Sequence, residues 1–283
     1  MPPDHLASLL AAATQRLTAA GSDTPTLDAR LLLQAATGLT REDLILGPDR
    51  QPTPAQRACF ESFIARREAH EPVSRILGER EFYGRAFRVT PDTLDPRPDT
   101  ETLIEAALPL MAKGARLLDL GTGTGAIAIT LLAERPDASG TATDLSPAAL
   151  AVARENAARL GVADRLTLVE GSWFVPVAGT FDIVLSNPPY IPSGDIASLS
   201  PDVRQFDPAL ALSGGTDGLA PYRIIASGAA VHLAAGGHVL VEIGAGQADD
   251  IEAIFAAAGF RRAGRHRDLG GHDRGLAFNR FEK

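Results

Sequence analysis

The stretch that most restricts what this chain can become lies near its middle. Residues 116–120 form a short apolar run, and Asp119-Leu120-Gly121-Thr122-Gly123-Thr124-Gly125-Ala126 leads from it into the helical pattern 126–133. A strand that turns through three alternating glycines into a helix opens a βαβ unit. Glycine supplies the tight turn and lets a ligand approach the backbone closely. The next strand, 141–144, ends on Asp144, 23 residues after Gly121. A carboxylate there can accept both hydroxyls of a ribose.

The rhythm continues. Ser146-Pro147 caps a helix over 148–160; strands follow at 166–169, 181–185 and 238–243, and a helix at 247–258. This predicts an α/β domain over 99–283: a mainly parallel, doubly wound, Rossmann-like sheet with helices on both faces. Residues 1–75 read differently, as a small bundle of four or five helices. Leu6, Leu9, Leu10, Ala13 and Leu17 share one face, as do Leu27, Leu31, Leu32 and Ala35, with Gly38 placed as a C-cap. Thr53-Pro54-Ala55-Gln56 reads as a capping box that starts a helix burying Phe60, Phe63 and Ile64. Between these parts, 76–98 reads as a linker: 81–89 alternates around Gly84 as a β-hairpin, and Pro91, Pro96 and Pro98 block helix continuation.

Composition narrows the function. A net charge of −8 over 283 residues argues against stable nucleic-acid binding. The one cysteine, Cys59, excludes an intramolecular disulfide framework and a Cys-rich zinc site, and it reads as a packing residue on an apolar helix face. The six histidines show no ligand spacing, so no metal is expected. Met1-Pro2-Pro3-Asp4 opens without a secretory signal and no apolar run is long enough to span a bilayer, which leaves no membrane association and a cytoplasmic default.

Gly121, Gly123 and Ala126 also fit a dinucleotide fingerprint, so the loop by itself leaves NAD(P) and S-adenosylmethionine open. Asp119 favours the second: a cationic sulfonium tolerates that carboxylate, whereas a pyrophosphate would be repelled. Ser186-Asn187-Pro188-Pro189-Tyr190 follows the 181–185 strand. Two prolines remove two N–H donors, the Pro188 carbonyl and the Asn187 side chain offer acceptors, and Tyr190 offers a flat face. That set suits a planar, conjugated NH₂ group. Holding both of its N–H bonds turns the nitrogen lone pair towards an electrophilic methyl, which is catalysis by positioning and electrostatics.

With these motifs the chain resembles the bacterial release-factor glutamine methyltransferases. The resemblance is carried by Arg80 to Gly84, Pro96-Arg97-Pro98-Asp99-Thr100-Glu101, Asp119 to Ala126, Trp173-Phe174, Ser186 to Tyr190, and Val203 to Leu210. It implies an S-adenosylmethionine-dependent enzyme acting on the glutamine of the Gly-Gly-Gln motif in peptide-release factors. It further implies that Gly121, Thr122, Gly123, Thr124 and Gly125 hold the methionine part of the cofactor, Asp144 its ribose and Trp173 its adenine. Asn187 would contact cofactor and substrate, Pro188, Pro189 and Tyr190 would complete the glutamine pocket, and the helical bundle would help recognise the release factor. Two positions depart from the family pattern, Ser172, usually acidic, and Asp95, usually apolar; Asp95 reads as a local surface change.

The long connection 191–219 reads as a lid or partner-binding segment. Glu101 is either a pocket residue or a first-turn carboxylate favoured by the helix dipole. Arg261, Arg262, Arg265, Arg267, Arg274 and Arg280 read as a solvated strand face, with RNA contact the rival reading. Three other functions compete: an amino-methyltransferase acting on adenine or guanine in nucleic acid, a non-catalytic translation-factor adaptor and, remotely, a nicotinamide dehydrogenase.

Overall fold

The structure, a computed structural model, describes residues 5–280, so the reading of the first four residues lies outside it. The chain divides into two compact units: residues through Glu79 together with Ser200–Phe206, and Arg80–Leu199 together with residues from Asp207 onward.

The first unit contains α1 (Leu6–Ala19), α2 (Pro25–Thr37), α3 (Arg41–Leu46), α4 (Pro54–Glu68) and α5 (Val73–Leu77). The box at Thr53 forms: its hydroxyl accepts the Gln56 N–H at 3.2 Å, and Gln56 Oε1 accepts the Thr53 N–H at 2.9 Å. Gly38 ends α2 at φ 72°. Leu9, Leu17, Leu32, Leu33, Phe60 and Ile64 meet in the core. The face of α2 differs from the expected one. Leu27 and Leu31 are 41% and 37% exposed, while Ala29, Leu32 and Leu33 are buried. Asp28 explains the rotation. It is 5% exposed and accepts hydrogen bonds from Ser22, Thr24 and Arg67, each at 2.8 Å. Turning Asp28 inward carries Leu32 with it and leaves Leu27 and Leu31 outside.

A hairpin follows, β1 (Glu79–Phe82) and β2 (Arg85–Arg88), and then α6 (Glu101–Ala107). Beyond it come β3 (Arg116–Leu120), α7 (Ala126–Glu134), β4 (Ser139–Asp144), α8 (Pro147–Arg159), β5 (Leu166–Glu170) and β6 (Phe181–Ser186). The connection after β6 carries α9 (Pro201–Phe206) and α10 (Ala209–Leu212), so it is partly helical. The chain finishes with α11 (Ala220–His232), β7 (Leu233–Glu242), α12 (Ala248–Ala257), β8 (Phe260–Arg267) and β9 (Asp273–Arg280).

The seven-stranded sheet has the order β5-β4-β3-β6-β7-β9-β8. The first five strands are parallel, while β9 runs antiparallel to both β7 and β8. Leu117, Ile183, Leu185 and Leu240 pack with α6 and α7 on one face; Leu118, Leu120, Val184 and Val241 pack with α11 and α12 on the other. Both faces are covered, which is why the central strands are mostly apolar. The chain goes from β3 outward to β4 and β5, then returns to β6 on the other side of β3. That reversal opens a crevice at the carboxyl ends of β3 and β6.

Candidate active site

Three strand ends deliver the site. At the end of β3, Gly121 and Thr122 N–H groups both donate to the Thr143 carbonyl, at 2.9 and 3.0 Å. The loop therefore starts tied to β4. Gly121 and Gly123 sit at φ 73° and 56°, a region L side chains rarely adopt. A Cβ at either would meet nothing within 4 Å, so their outer faces are open to a ligand. Gly125 is different: an added Cβ would lie 2.5 Å from Ile129 Cδ1 and 3.3 Å from the Ala153 Cβ, so this glycine serves packing between loop and helices. The buried Asn156 on α8 holds the loop from below, donating from Nδ2 to the Thr124 carbonyl at 2.9 Å and to the Arg88 carbonyl at 3.1 Å.

Asp119 is completely buried. Its Oδ2 accepts the Thr122 hydroxyl at 2.6 Å, while Oδ1 has no hydrogen-bond partner. Burial pushes its carboxyl up to about 6, the Thr122 hydroxyl and the Ala128 N–H opposing and the nearby Asp144 charge adding to the rise. Asp144 ends β4, with Oδ2 accepting the Gly123 N–H at 2.8 Å and Oδ1 the Ser146 N–H at 2.9 Å. Each oxygen keeps a lone pair for a further donor.

On the other side of β3, Ser186 closes β6 and donates its hydroxyl to the Leu120 carbonyl at 2.7 Å. That bond locks the two strand ends together just where Asn187 emerges. The Asn187 side-chain amide donates to Thr100 Oγ1 at 3.2 Å, and the Thr100 hydroxyl donates to Glu242 Oε2 at 2.6 Å. Glu242, the last residue of β7, is buried, and burial pushes its carboxyl up to about 7. Thr100, Asn187 and the charge of Arg274 pull the other way. Tyr190 is held by its carbonyl, which accepts the Gln247 Nε2–H at 3.0 Å; burial, then the Glu242 charge, raises its hydroxyl to about 12.

A cavity of about 380 Å³ joins these parts, within the range of small-molecule sites. Gly121, Gly123, Asp144, Trp173, Asn187 and Pro189 all line it. Thr122, Thr124, Gly125, Pro188 and Tyr190 do not, and both threonine side chains are buried. Trp173 occupies φ 51°, a strained setting for a tryptophan, and the Thr143 hydroxyl donates to its carbonyl at 3.3 Å. Ser172 also lines the cavity, as do Leu145 and Leu210, which are more than half exposed. Sequence reasoning missed both leucines and missed Glu242. For Leu145 the signal was its place directly after Asp144; for Glu242 it was a charged residue closing an apolar strand. Among the described residues, none that lines the cavity is basic.

Two motifs meet nearby. The Asp207 carboxylate pairs with Arg97 at 2.6 Å and accepts the Asp95 N–H at 3.4 Å. Asp95 is 2% exposed, so it is a buried residue rather than the expected surface change. The Glu101 Oε1 accepts the Tyr83 N–H at 2.9 Å, tying the hairpin turn to α6, and Glu101 does not line the cavity. Among the described residues, no cluster of His, Cys, Asp and Glu could hold a metal and no helix is long and apolar enough to cross a membrane.

Comparison with known proteins matches this arrangement. Residues 8–78 fit the family described as PrmC N-terminal domain, and 95–199 fit the Methyltransferase small domain. A solved methyltransferase from Pyrococcus furiosus shares the fold with a TM-score of 0.54 at 21% identity, over 70% of this chain and 89% of that one. The chain is thus an S-adenosylmethionine-dependent methyltransferase, with that compound as its methyl donor. Its relatives include the release factor glutamine methyltransferase of Cereibacter sphaeroides, 55% identical over 95% of this chain and 96% of the relative. That of Agrobacterium fabrum is 47% identical over 96% of each. The chain belongs to the release factor glutamine methyltransferase family.

Proposed function

We propose that the protein methylates the side-chain amide nitrogen, N5, of the glutamine in the Gly-Gly-Gln motif of peptide-release factors. The observation that carries this reading is the position of Asn187: it lines the same cavity as Gly121, Gly123 and Asp144, at the adjoining strand end.

The residues fit the methyl donor. The open faces of Gly121 and Gly123 receive its methionine part, and Thr122, Thr124 and Gly125, turned into the protein, hold the loop in that shape. The free Oδ1 of Asp119 leaves negative potential beneath the loop, and a cation bound there draws that carboxyl back towards its charged form. The spare lone pairs of Asp144 take the ribose hydroxyls, and Trp173 with the exposed Leu145 faces the adenine. The lack of basic lining disfavours a dinucleotide pyrophosphate.

S-adenosylmethionine supplies an electrophilic methyl and departs as a neutral thioether. The protein orients the nucleophile. Asn187 Oδ1 and the Pro188 carbonyl accept the two N–H bonds of the glutamine amide, while Pro189 and Tyr190 wall the pocket. As the new N–C bond forms, the nitrogen releases one proton to solvent. No strong base is needed, because the methylated nitrogen takes over the positive charge of the sulfonium and becomes strongly acidic until that proton leaves.

The helical unit serves release-factor recognition, and a translation factor as substrate places the enzyme in the cytoplasm. The C-terminal arginines support a protein rather than a nucleic-acid partner: Arg262 and Arg265 pair with Glu252, Arg267 with Asp273, and Arg274 with Asp268 and Asp99.

Intact-mass analysis of an unmethylated release factor incubated with enzyme and S-adenosylmethionine tests this reading. One methyl is gained, and none when the Gly-Gly-Gln glutamine is replaced. Asn187→Ala lowers kcat about 100- to 1,000-fold, the loss typical of removing one oriented transition-state contact. Methylation of an RNA or DNA base instead would transfer the assignment to nucleic acid.

A further inference from the structure

Behind Asn187 lies a buried acid that the reaction above leaves idle. Glu242 is 2% exposed and accepts the Thr100 hydroxyl, and Thr100 Oγ1 in turn accepts from Asn187 Nδ2. A carboxylate only accepts. A hydroxyl that spends its one proton on a carboxylate has only lone pairs for its other neighbour. Thr100 therefore takes the NH₂ end of the Asn187 amide, and the Oδ1 end is left for the cavity that Asn187 lines.

We propose that Glu242 and Thr100 are positioning residues that set which end of the Asn187 amide faces the substrate, so that an acceptor and not a donor meets the glutamine NH₂. The inference rests on Asn187 being the residue that holds that glutamine. An asparagine amide is nearly the same shape either way round, and only its hydrogen-bond partners choose between the two orientations. Reversed, Asn187 would present N–H to N–H and the nitrogen to be methylated would lose its anchor.

The setting of Glu242 agrees with this role. Besides the Thr100 hydroxyl and the Asn187 amide, which both favour its charged form, the groups acting on it are Arg274 from β9, Asp99 ahead of α6, Tyr190 after β6 and Tyr222 of α11, whose hydroxyl donates to the Glu242 carbonyl at 2.8 Å. Arg274 favours the charged form, and Asp99 and burial oppose it. Once protonated, Glu242 can donate to Thr100 and the polarity of the chain reverses. A carboxyl raised to about 7 makes that reversal reachable, so kcat falls as pH drops below about 7.

The test compares wild type, Thr100→Val, Thr100→Ser, Glu242→Gln and Asn187→Ala in full-length enzyme with intact release factor. The readouts are kcat, KM, S-adenosylmethionine Kd by calorimetry, Tm, and kcat against pH. Valine keeps the shape of threonine and removes its hydroxyl, so kcat falls at least about 10-fold, the lower range for lost orientation. Its Kd stays within about twofold and the acid limb of the pH profile disappears. Serine restores kcat to within about threefold. Glutamine at 242 offers Thr100 an N–H as readily as a carbonyl, and kcat falls about 10-fold with no loss of Tm. Wild-type kcat and acid limb in Thr100→Val, beside an inactive Asn187→Ala, would overturn the inference and leave the site intact. So would a Thr100→Val loss that parallels Tm or Kd, because it marks a purely structural bond. Full activity in Asn187→Ala would instead overturn the reading of the site.

Discussion

Asp28 in the helical unit and Asp119 and Glu242 in the sheet unit are all buried, yet their surroundings differ in kind. Asp28 meets two hydroxyls and the Arg67 guanidinium, each at 2.8 Å. Asp119 keeps an oxygen with no partner, and Glu242 has the Thr100 hydroxyl and the Asn187 amide beside it but only the longer-range field of Arg274 as a cation. Burial lifts both sheet-unit carboxyls, to about 6 and about 7. The helical unit thus uses its buried charge to hold helices in place. The sheet unit tolerates buried charge that destabilises the protein, and it does so at the strand ends where the cavity lies. The strained Trp173 lines the cavity at that same edge.

Breaking the satisfied pair gives the largest stability effect. The Arg67 and Asp28 side chains are only 10% and 7% exposed, so Asp28→Ala leaves a buried guanidinium without its anion. That loss costs about 3–5 kcal/mol. Chemical denaturation at neutral pH should show it. A loss under about 1 kcal/mol would mean the pair is no stronger than a surface one, and the contrast would collapse.

Glu242→Gln should move stability the other way. A carboxyl raised in the folded state contributes stability that is complete below its ordinary value of 4.5 and is lost as pH rises through about 7. At pH 8 wild type has given up about 3 kcal/mol that the glutamine variant never had to lose. Thermal unfolding should find the variant more stable at pH 8 by several degrees, with the gap closing towards pH 5. If it unfolds earlier at pH 8, then Glu242 is held by its partners as Asp28 is. A variant that is more stable and less active would mark an acid retained for chemistry.

What could be read in the sequence divides along the same line. The capping box at Thr53, the strand–glycine–helix run at 116–134 and the Asn187 motif at the end of β6 are each written in contiguous residues, and local physics suffices to decode them. The rotation of α2 was not legible, because Leu27, Leu31, Leu32 and Leu33 satisfy two helical faces and the choice rests on Arg67, 39 residues from Asp28. Asp95 looked like surface because its partner Asp207 lies 112 residues away. Thr100 and Glu242 are 142 residues apart, and neither position betrays the other. The arginines at the sheet edge read as a strand face, but the antiparallel pairing of β8 with β9 and their acidic partners on α12 did not show, because only the fold brings those partners close.

The smallest effect is the sharpest check on what separates the two units. Thr53→Ala removes the hydroxyl that accepts the Gln56 N–H and leaves the reciprocal Gln56 bond to the residue-53 N–H without its companion. Such a cap is worth about 1 kcal/mol, which in a chain of this size moves Tm by roughly 2–4 °C. Because α4 begins there and packs Phe60 and Ile64 into the core of the helical unit, the loss stays local to that unit. The crevice, which opens at the ends of β3, β4 and β6, contains none of those residues. Saturating release factor should therefore give the wild-type kcat with the lower Tm. A fall in kcat to match the fall in Tm would show that the helical unit does more than fold and recognise, and the division between a region built for stability and one built for chemistry would have to be redrawn.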